Sequence, residues 1–228
     1  MEDIIIKLLE EADIQELFKF EIENRAFFKR MGFDRGDSYY EINNFNVIIK
    51  ALVEEQENGL AFMYLIRNYK GKIIGRVNLV SVVRGSFNKA ELGYRIGEDY
   101  QGRGYATKAV NLAICEAASK HKLHRVEAGT SPYNIGSQIV LIKNGFQFTG
   151  RNSKYIYKNG KWYDSIIFER IVDWTYEFIK FRECVMDDLV TLRELSCKTY
   201  SDTFGHMNAP SIMKAYLEQA YDIGKLRD

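Results

Sequence analysis

Near the N-terminus, apolar positions recur at helical spacing twice. Ile14, Leu17, Phe18 and Ile22 share one face of a segment from about Ala12 to Phe28. Phe45, Ile48, Ile49 and Leu52 share one face of a second, from about Ser38 to Gln56. A short β-like run, Ile4 to Leu9, precedes the first helix.

The period then changes. Leu60 to Arg67, Lys72 to Val83 and Ala90 to Gly97 read as strands separated by NYKG and RGSFNK, connections so short that they predict an antiparallel meander. In the third strand Leu92, Tyr94 and Ile96 alternate with Glu91, Gly93 and Arg95, so one face is buried. A helical stripe of Ala106, Ala109, Val110, Ala113, Ile114 and Ala117 follows, and HRVEAGT then reads as a strand. Strand, helix and strand in this order predict a parallel pair joined by a right-handed crossover. A helix from about Asn134 to Asn144 ends at Gly145. Two more strands, Lys154 to Lys158 and Trp162 to Arg170, meet at the hairpin dipeptide Asn159-Gly160. The expected fold is mixed α/β, with a sheet of about seven strands over residues 1–171.

Residues 172–228 begin again with a strand and a helix in IKFRECVMDDLVTLREL, followed by a second helix in SIMKAYLEQAY. Lys7, Leu8, Glu10, Asp13, Ile14 and Leu17 resemble Lys180, Phe181, Glu183, Asp188, Leu189 and Leu192, with two residues inserted. This segment is either a partial second copy or an unrelated helical extension. Exposed apolar faces on it could drive formation of a homodimer.

Charge narrows the partners. Lys plus Arg number 32 and Asp plus Glu 31, so no long-range field points to nucleic acid or an anionic membrane, and any polyanion must be held locally. Cys115, Cys184 and Cys197 form no CxxC pair, which suits a reducing compartment. MEDIIIKLLEEAD is acidic and charge-broken, unlike a signal peptide, and a cytoplasmic location is expected. His121 and His124 in HKLH lack a third ligand, so no metal site is expected; the pair is expected to end the preceding helix, where imidazolium suits the dipole.

The candidate chemistry lies in GEDYQGRGYATKAV, residues 97–110. Gly97 and Gly102 have the spacing of a nucleoside-triphosphate loop, but Arg103-Gly104 stands where Lys-Ser/Thr is required. Gly102-x-Gly104 opens a dinucleotide fingerprint, but Thr107 replaces its third glycine. What remains is a strand, a glycine turn and a helix that aim unpaired N–H groups and the positive helix end at one spot, a geometry for a metal-free pyrophosphate.

Gln101-Gly102-Arg103-Gly104-Tyr105-Ala106 resembles the Q/R-x-x-G-x-G/A acetyl-CoA loop of the GNAT N-acetyltransferases. ELGYRIGEDYQGRGYATKAV, LHRVEAGTSPYNIGS and LIKNGFQFTGR are similar to the RimJ/RimL-type branch, which acetylates protein N-termini and related amines. The resemblance covers residues 5–171. It implies a seven-stranded sheet splayed between its fourth and fifth strands, helices on both faces, and acetyl-CoA as cosubstrate. The implied acceptor is a peptide or protein N-terminus, or a small amine. Gln101 to Thr107 would hold the pyrophosphate, the backbone of Tyr94 and Ile96 the pantetheine amides, and Asn134 and Ser137 would contact the cofactor. Asn134 has a second reading as a helix cap, and Ser137 as an ordinary residue of the first helical turn. Many members carry a tyrosine acid three to five residues before a Gly-Phe pair; here Leu141 and Ile142 occupy that region, leaving Ser137 to reach the leaving sulfur. Glu91 and Glu127, on the two splayed strands, are the candidate bases, with surface or ion-paired roles as alternatives. Trp162, Tyr163 and Asp164 either line the amine pocket or form an ordinary hairpin. A catalytically idle CoA-binding module is the alternative from another class. The C-terminal segment is similar to the opening of a second, polyamine-acetylating GNAT domain.

Overall fold

The computed structural model describes residues 3–32, 34–158, 160–172, 185–204 and 210–221. The chain divides into two compact units, 1–178 and 179–228. Among the described residues no helix is long and apolar enough to cross a membrane.

The first unit carries a seven-stranded sheet. Its meander consists of β1 (Ile4–Leu8), β2 (Phe62–Asn68), β3 (Ile73–Val83) and β4 (Lys89–Ile96), paired antiparallel. Helices α1 (Ile14–Arg30) and α2 (Ile42–Glu57) fill the connection between β1 and β2. From β4 the chain crosses through α3 (Tyr105–Ser119) to β5 (Arg125–Thr130), the one parallel pair of the sheet. Helix α4 (Ile135–Lys143) then leads to β6 (Gln147–Lys158) and β7 (Lys161–Ile171), and β7 inserts beside β5 to give the order β1-β2-β3-β4-β5-β7-β6.

The strand alternation distributes side chains to two cores. Phe62, Tyr64 and Ile66 pack with Ala109, Ala113, Ile114 and Ala117 of α3, whereas Met63 and Leu65 pack with Leu17, Phe20, Phe45 and Ile49 of α1 and α2. Helices therefore cover both faces.

Three details depart from the periodicity. Ile22 is 44% exposed while Glu21 is fully buried, because Arg76 and Arg95 reach the Glu21 carboxylate from the sheet and supply a charged reason for that face to turn inward. Strand β6 begins at Gln147 rather than near Lys154; register shifts between Phe148 and Gly150 and between Asn152 and Ile156 erase the alternation that marks a strand in sequence. His121 does not charge against the helix end. Its ring stacks on Phe62 (centroids 3.4 Å apart) and meets Tyr64 Oη at 2.5 Å, and burial, with Lys120 and Arg84 nearby, lowers its pKa to about 4, so the imidazole is neutral. Asn159 of the predicted hairpin dipeptide lies outside the described residues.

In the second unit α5 (Leu189–Phe204) and α6 (Pro210–Ala220) are joined by stacked rings of Tyr200 and Tyr216 and by a bond from Arg193 Nε to Tyr221 O (2.8 Å). One turn bears on the predicted repeat. Asp188 Oδ2 accepts from Val185 N (2.9 Å) ahead of α5, as Asp13 Oδ2 accepts from Glu10 N (3.0 Å) ahead of α1. Lys180, Phe181 and Glu183 lie outside the described residues.

Candidate active site

Strands β4 and β5 pair only at Lys89–Arg125, Ala90–Val126 and Glu91–Glu127; β4 continues to Ile96 and β5 to Thr130 without a partner between them. This is the splay. Gly97 N donates to Ile74 O (2.8 Å), so the alternate residues of β4 spend their main-chain groups on β3, and those of Tyr94 and Ile96 point into the opening. Ile96 O accepts from Gln101 Nε2 (2.6 Å), which ties the glycine turn to the strand end.

The turn has the backbone that its glycines allow. Gly102 (φ +71) and Gly104 (φ +79) are left-handed, and Gly104 is the N-cap of α3. The first α3 amide to find a helical carbonyl is that of Lys108, on Gly104 O (3.1 Å), so the amides before it project from the helix end. A Cβ on Gly102 would touch nothing within 4 Å, and no acidic side chain occupies the first turn. An anion fits here. Arg103 is exposed at the rim, whereas the Lys108 ammonium is paired with Asp3. The Tyr105 ring is buried in the α3 core, Ala106 is half-buried, and Thr107 O accepts from Asn144 Nδ2 (3.2 Å), fastening α3 to the end of α4.

Across the opening, Asn134 caps α4 by accepting from Ser137 N (3.1 Å). The Tyr94 hydroxyl donates to Ser137 Oγ (3.0 Å), so a phenol on β4 reaches the first turn of α4 over the splay. Burial raises the Tyr94 pKa, with the Ser137 bond acting weakly the other way, and the phenol holds its proton at neutral pH. Position 94 was singled out in sequence for its main chain; only the fold brings its side chain to Ser137.

Glu91 and Glu127 face each other at the last paired position, on the sheet face opposite Tyr94. Their settings differ. Glu127 binds Lys89 Nζ (2.8 Å) and Arg125 Nε (2.8 Å); burial raises its pKa, but the two cations outweigh that and hold it below the ordinary range. Glu91 is exposed and, among the described residues, makes no ion pair or side-chain hydrogen bond. Asp164 accepts from Lys154 N (2.7 Å) and pairs with Arg151, pinning a bulge of the β6–β7 hairpin, while Trp162 and Tyr163 stay exposed beyond the Thr130–Ile166 register. A polar cavity of about 510 Å³ lined by Asn111, Lys143, Gln147 and Arg170 contains none of the predicted site residues. Among the described residues no group of three or more His, Cys, Asp or Glu could hold a metal ion.

Comparison with known proteins places this geometry. The Acetyltransferase (GNAT) domain family matches residues 3–147. "Probable N-acetyltransferase YjcK" of Bacillus subtilis (strain 168) is 34% identical over 162 residues, 71% of this chain and 90% of that protein. The ribosomal protein uS5-alanine N-acetyltransferase of Escherichia coli (strain K12) is 30% identical over 174 residues, 75% of this chain and 90% of that protein. The solved ribosomal-protein-S5-alanine acetyltransferase of Vibrio fischeri superposes with a TM-score of 0.71 at 29% identity, covering 76% of this chain and 95% of that one. At 16% identity, the spermidine N-acetyltransferase of Vibrio cholerae in complex with CoA and spermine shares the fold, with a TM-score of 0.63 over 75% of this chain and 98% of that one. With the splay, the glycine turn and these matches together, the chain belongs to the GNAT acetyltransferase family and is an N-acetyltransferase of the RimJ/RimL-like kind.

Proposed function

We propose that the protein transfers acetyl from acetyl-CoA directly to the α-amine of a polypeptide N-terminus, without a covalent enzyme intermediate. The observation that carries this reading is the opening between β4 and β5, with the projecting amides of the glycine turn at its mouth.

The amides of residues 102–107 hold the pyrophosphate, with Gln101 fixing the turn and Arg103 at its rim. The main-chain groups of Tyr94 and the Ile96 N–H bind the pantetheine arm as a neighbouring strand would, and Asn134 orients the first turn of α4 beside it. The amine attacks the thioester carbonyl carbon, a main-chain N–H on β4 meets the developing oxyanion, and the C–N bond forms before the C–S bond breaks. Glu91, acting through water, takes the proton that the amine gives up. The thiolate takes the Ser137 hydroxyl proton, Tyr94 replaces it along the hydrogen bond, and solvent returns a proton to the phenolate while taking the one held by Glu91. Glu127, engaged with Lys89 and Arg125, is a structural anion at the fork of the splay rather than the favoured base.

An α-amine suits this modest machinery. Its pKa is about 7.7 to 8.0, so roughly a fifth to a third is neutral near pH 7.4, whereas a lysine at about 10.4 needs about 4 kcal/mol to lose its proton. The spermidine acetyltransferase that shares the fold supplies the second reading, a small polyamine as acceptor. Residues 179–228, with the Asp188 turn like that of Asp13, read as the opening of a second such domain.

A thiol-release assay with acetyl-CoA against N-terminal peptides and polyamines tests the proposal. Peptide turnover supports it, turnover of polyamines alone shifts the acceptor, and CoA binding without any turnover overturns the enzymatic reading. Gly104→Glu should abolish CoA binding, while Gly104→Ala, which carries the left-handed strain of roughly 1–2 kcal/mol without the carboxylate, should retain most of it.

A further inference from the structure

The sheet face opposite Tyr94 holds a group of charges that the transfer chemistry leaves unused. Glu21 of α1 is fully buried, and its Oε1 is bonded by Arg76 Nη1 of β3 (3.2 Å) and by Arg95 Nη2 of β4. Arg76 and Arg95 are register partners, and Arg76 also donates to Tyr39 Oη (3.3 Å). Two more guanidinium groups close in from the segment around the end of α1: Arg25 lies 4.3 Å from the Tyr40 ring centre and Arg35 4.9 Å from that of Tyr39. The positive charges of Arg76 and Arg35 both act on Arg95, which burial already disfavours as a cation. Arg25 is paired with Asp37. Arg25 also acts on Asp34, which Lys29 holds (3.4 Å), so five cations here meet the three carboxylates Glu21, Asp34 and Asp37, a surplus of two positive charges.

Such a surplus is costly to gather for structure alone. A buried glutamate is satisfied by one well-placed arginine, and like charges brought together in a low dielectric repel. Hydrogen bonding is also left incomplete: Arg76 Nε, Glu21 Oε2, Tyr40 Oη and, one step along β3, Asn78 Oδ1 have no hydrogen-bond partner among the described residues.

The location is equally informative. Glu91, Gly93 and Arg95 alternate along one face of β4, so Arg95 stands about 13 Å from Glu91 at about 3.3 Å per residue. Gly93 between them is exposed, and a Cβ built on it would touch nothing within 4 Å. The β4 face is therefore open at Gly93, midway along a span from the candidate base to Arg95 that three or four residues of extended peptide would cover.

We propose that this arginine cluster reads the acceptor, and that the preferred acceptor is a polypeptide N-terminus with aspartate or glutamate within about its first four residues. The inference rests on the transfer reading above and sharpens it. An amine placed by Glu91 puts the following side chains beside Gly93 and in the field of the cluster, whose exposed member Arg35 offers its guanidinium to a carboxylate while Arg95 stays on Glu21 and the Phe28 ring. A polyamine would bring its second and third positive charges to the same place and be repelled, so the cluster selects against it as well as for the acidic peptide.

The test uses the full chain, acetyl-CoA or CoA, the amidated peptides Ala-Glu-Glu-Phe-Gly and Ala-Lys-Lys-Phe-Gly, and spermidine, with both kcat/KM and calorimetric Kd measured. The expected result is at least a tenfold preference for the acidic peptide in both quantities at low ionic strength, shrinking in 0.5 M salt and shrinking also in Arg35→Gln, an exposed position whose change should leave the fold intact. Equal treatment of the two peptides overturns the charge reading and leaves N-terminal acetylation standing. Turnover of spermidine in preference to the acidic peptide overturns both. If nothing is acetylated, the Kd ratio still decides: a preference lost in Arg35→Gln supports the cluster as an acidic-peptide site, and its absence sinks the proposal.

Discussion

At the level of single residues, the arrangement with most mechanistic content is the hydroxyl pair of Tyr94 and Ser137. Leu141 and Ile142 occupy the region of α4 where the wider family resemblance would place an acid tyrosine, and a phenol from β4 reaches the same helix from across the splay. Tyr94→Phe removes one partly buried hydrogen bond, worth about 1 kcal/mol of stability, and the proton source behind Ser137. We expect kcat to fall about tenfold to a hundredfold with the KM for acetyl-CoA nearly unchanged, as read by steady-state thiol release. An unchanged kcat would falsify the relay. The two candidate bases separate in the same assay. Glu91→Gln should lower kcat/KM, whereas Glu127→Gln should act mainly on stability, since it frees Lys89 and Arg125. The main-chain role proposed for position 94 was legible in sequence through the family resemblance that the glycine turn carries. Its side-chain role was not, because Ser137 lies 43 residues away and nothing local announces the pairing.

Among elements, β4 holds the site, and its position depends on how closely β3 approaches. A Cβ on Gly75 would come within 2.6 Å of Arg95 O and 2.9 Å of Ile96 Cδ1. The first contact is backbone, so the strand rather than a side chain must yield. Gly75→Ala is expected to destabilise the fold by roughly 1–3 kcal/mol and to weaken CoA binding, because the segment displaced carries the main-chain groups of Tyr94 and Ile96. Denaturation midpoints and CoA titration check the two halves. A loss of stability with full CoA affinity would separate strand spacing from cofactor binding. Helix α4 gives a smaller effect: Asn134→Ala should cost about 1 kcal/mol by removing the cap on Ser137 N. Most element boundaries could be read from periodicity and turn residues. The start of β6 could not, since two bulges and a left-handed Lys154 (φ +50) break its alternation.

For the molecule as a whole, acid stability should report the buried His121. Its folded pKa of about 4 lies below the ordinary 6.5, so both states are neutral above pH 6.5 and the imidazole then costs nothing. As pH falls from 6.5 towards 4 the unfolded chain takes up a proton that the folded chain refuses, and stability drops by up to about 3 kcal/mol. Urea midpoints across this window should show the slope, and His121→Gln should flatten it. Glu127, depressed by its two cations, adds stability above the ordinary glutamate range that fades below it, and so steepens the lower part of the curve. The division at residue 178 makes a second prediction. All candidate site residues precede it, so a fragment of residues 1–178 is expected to keep CoA binding, and a loss of binding would make the second unit part of the working enzyme.

Helix faces, the antiparallel meander, the parallel crossover and the left-handed glycines of the turn follow from rules that act over a few residues: periodicity, steric limits on φ, and unpaired amides at a helix end. These were enough for the fold class and for a candidate anion site at residues 101–107. Tertiary structure decided which side chains meet across long separations: Tyr94 with Ser137, Lys89 with Glu127, and Glu21 with Arg76 and Arg95. Each pairing is set by strand register and by the rotation of a helix on the sheet. Shifting the register of β4 by one residue would send Lys89, Tyr94 and Arg95 to the other face. The same rotation buries Glu21 and exposes Ile22, against their hydrophobicity, because the charges that satisfy Glu21 arrive from strands more than fifty residues later.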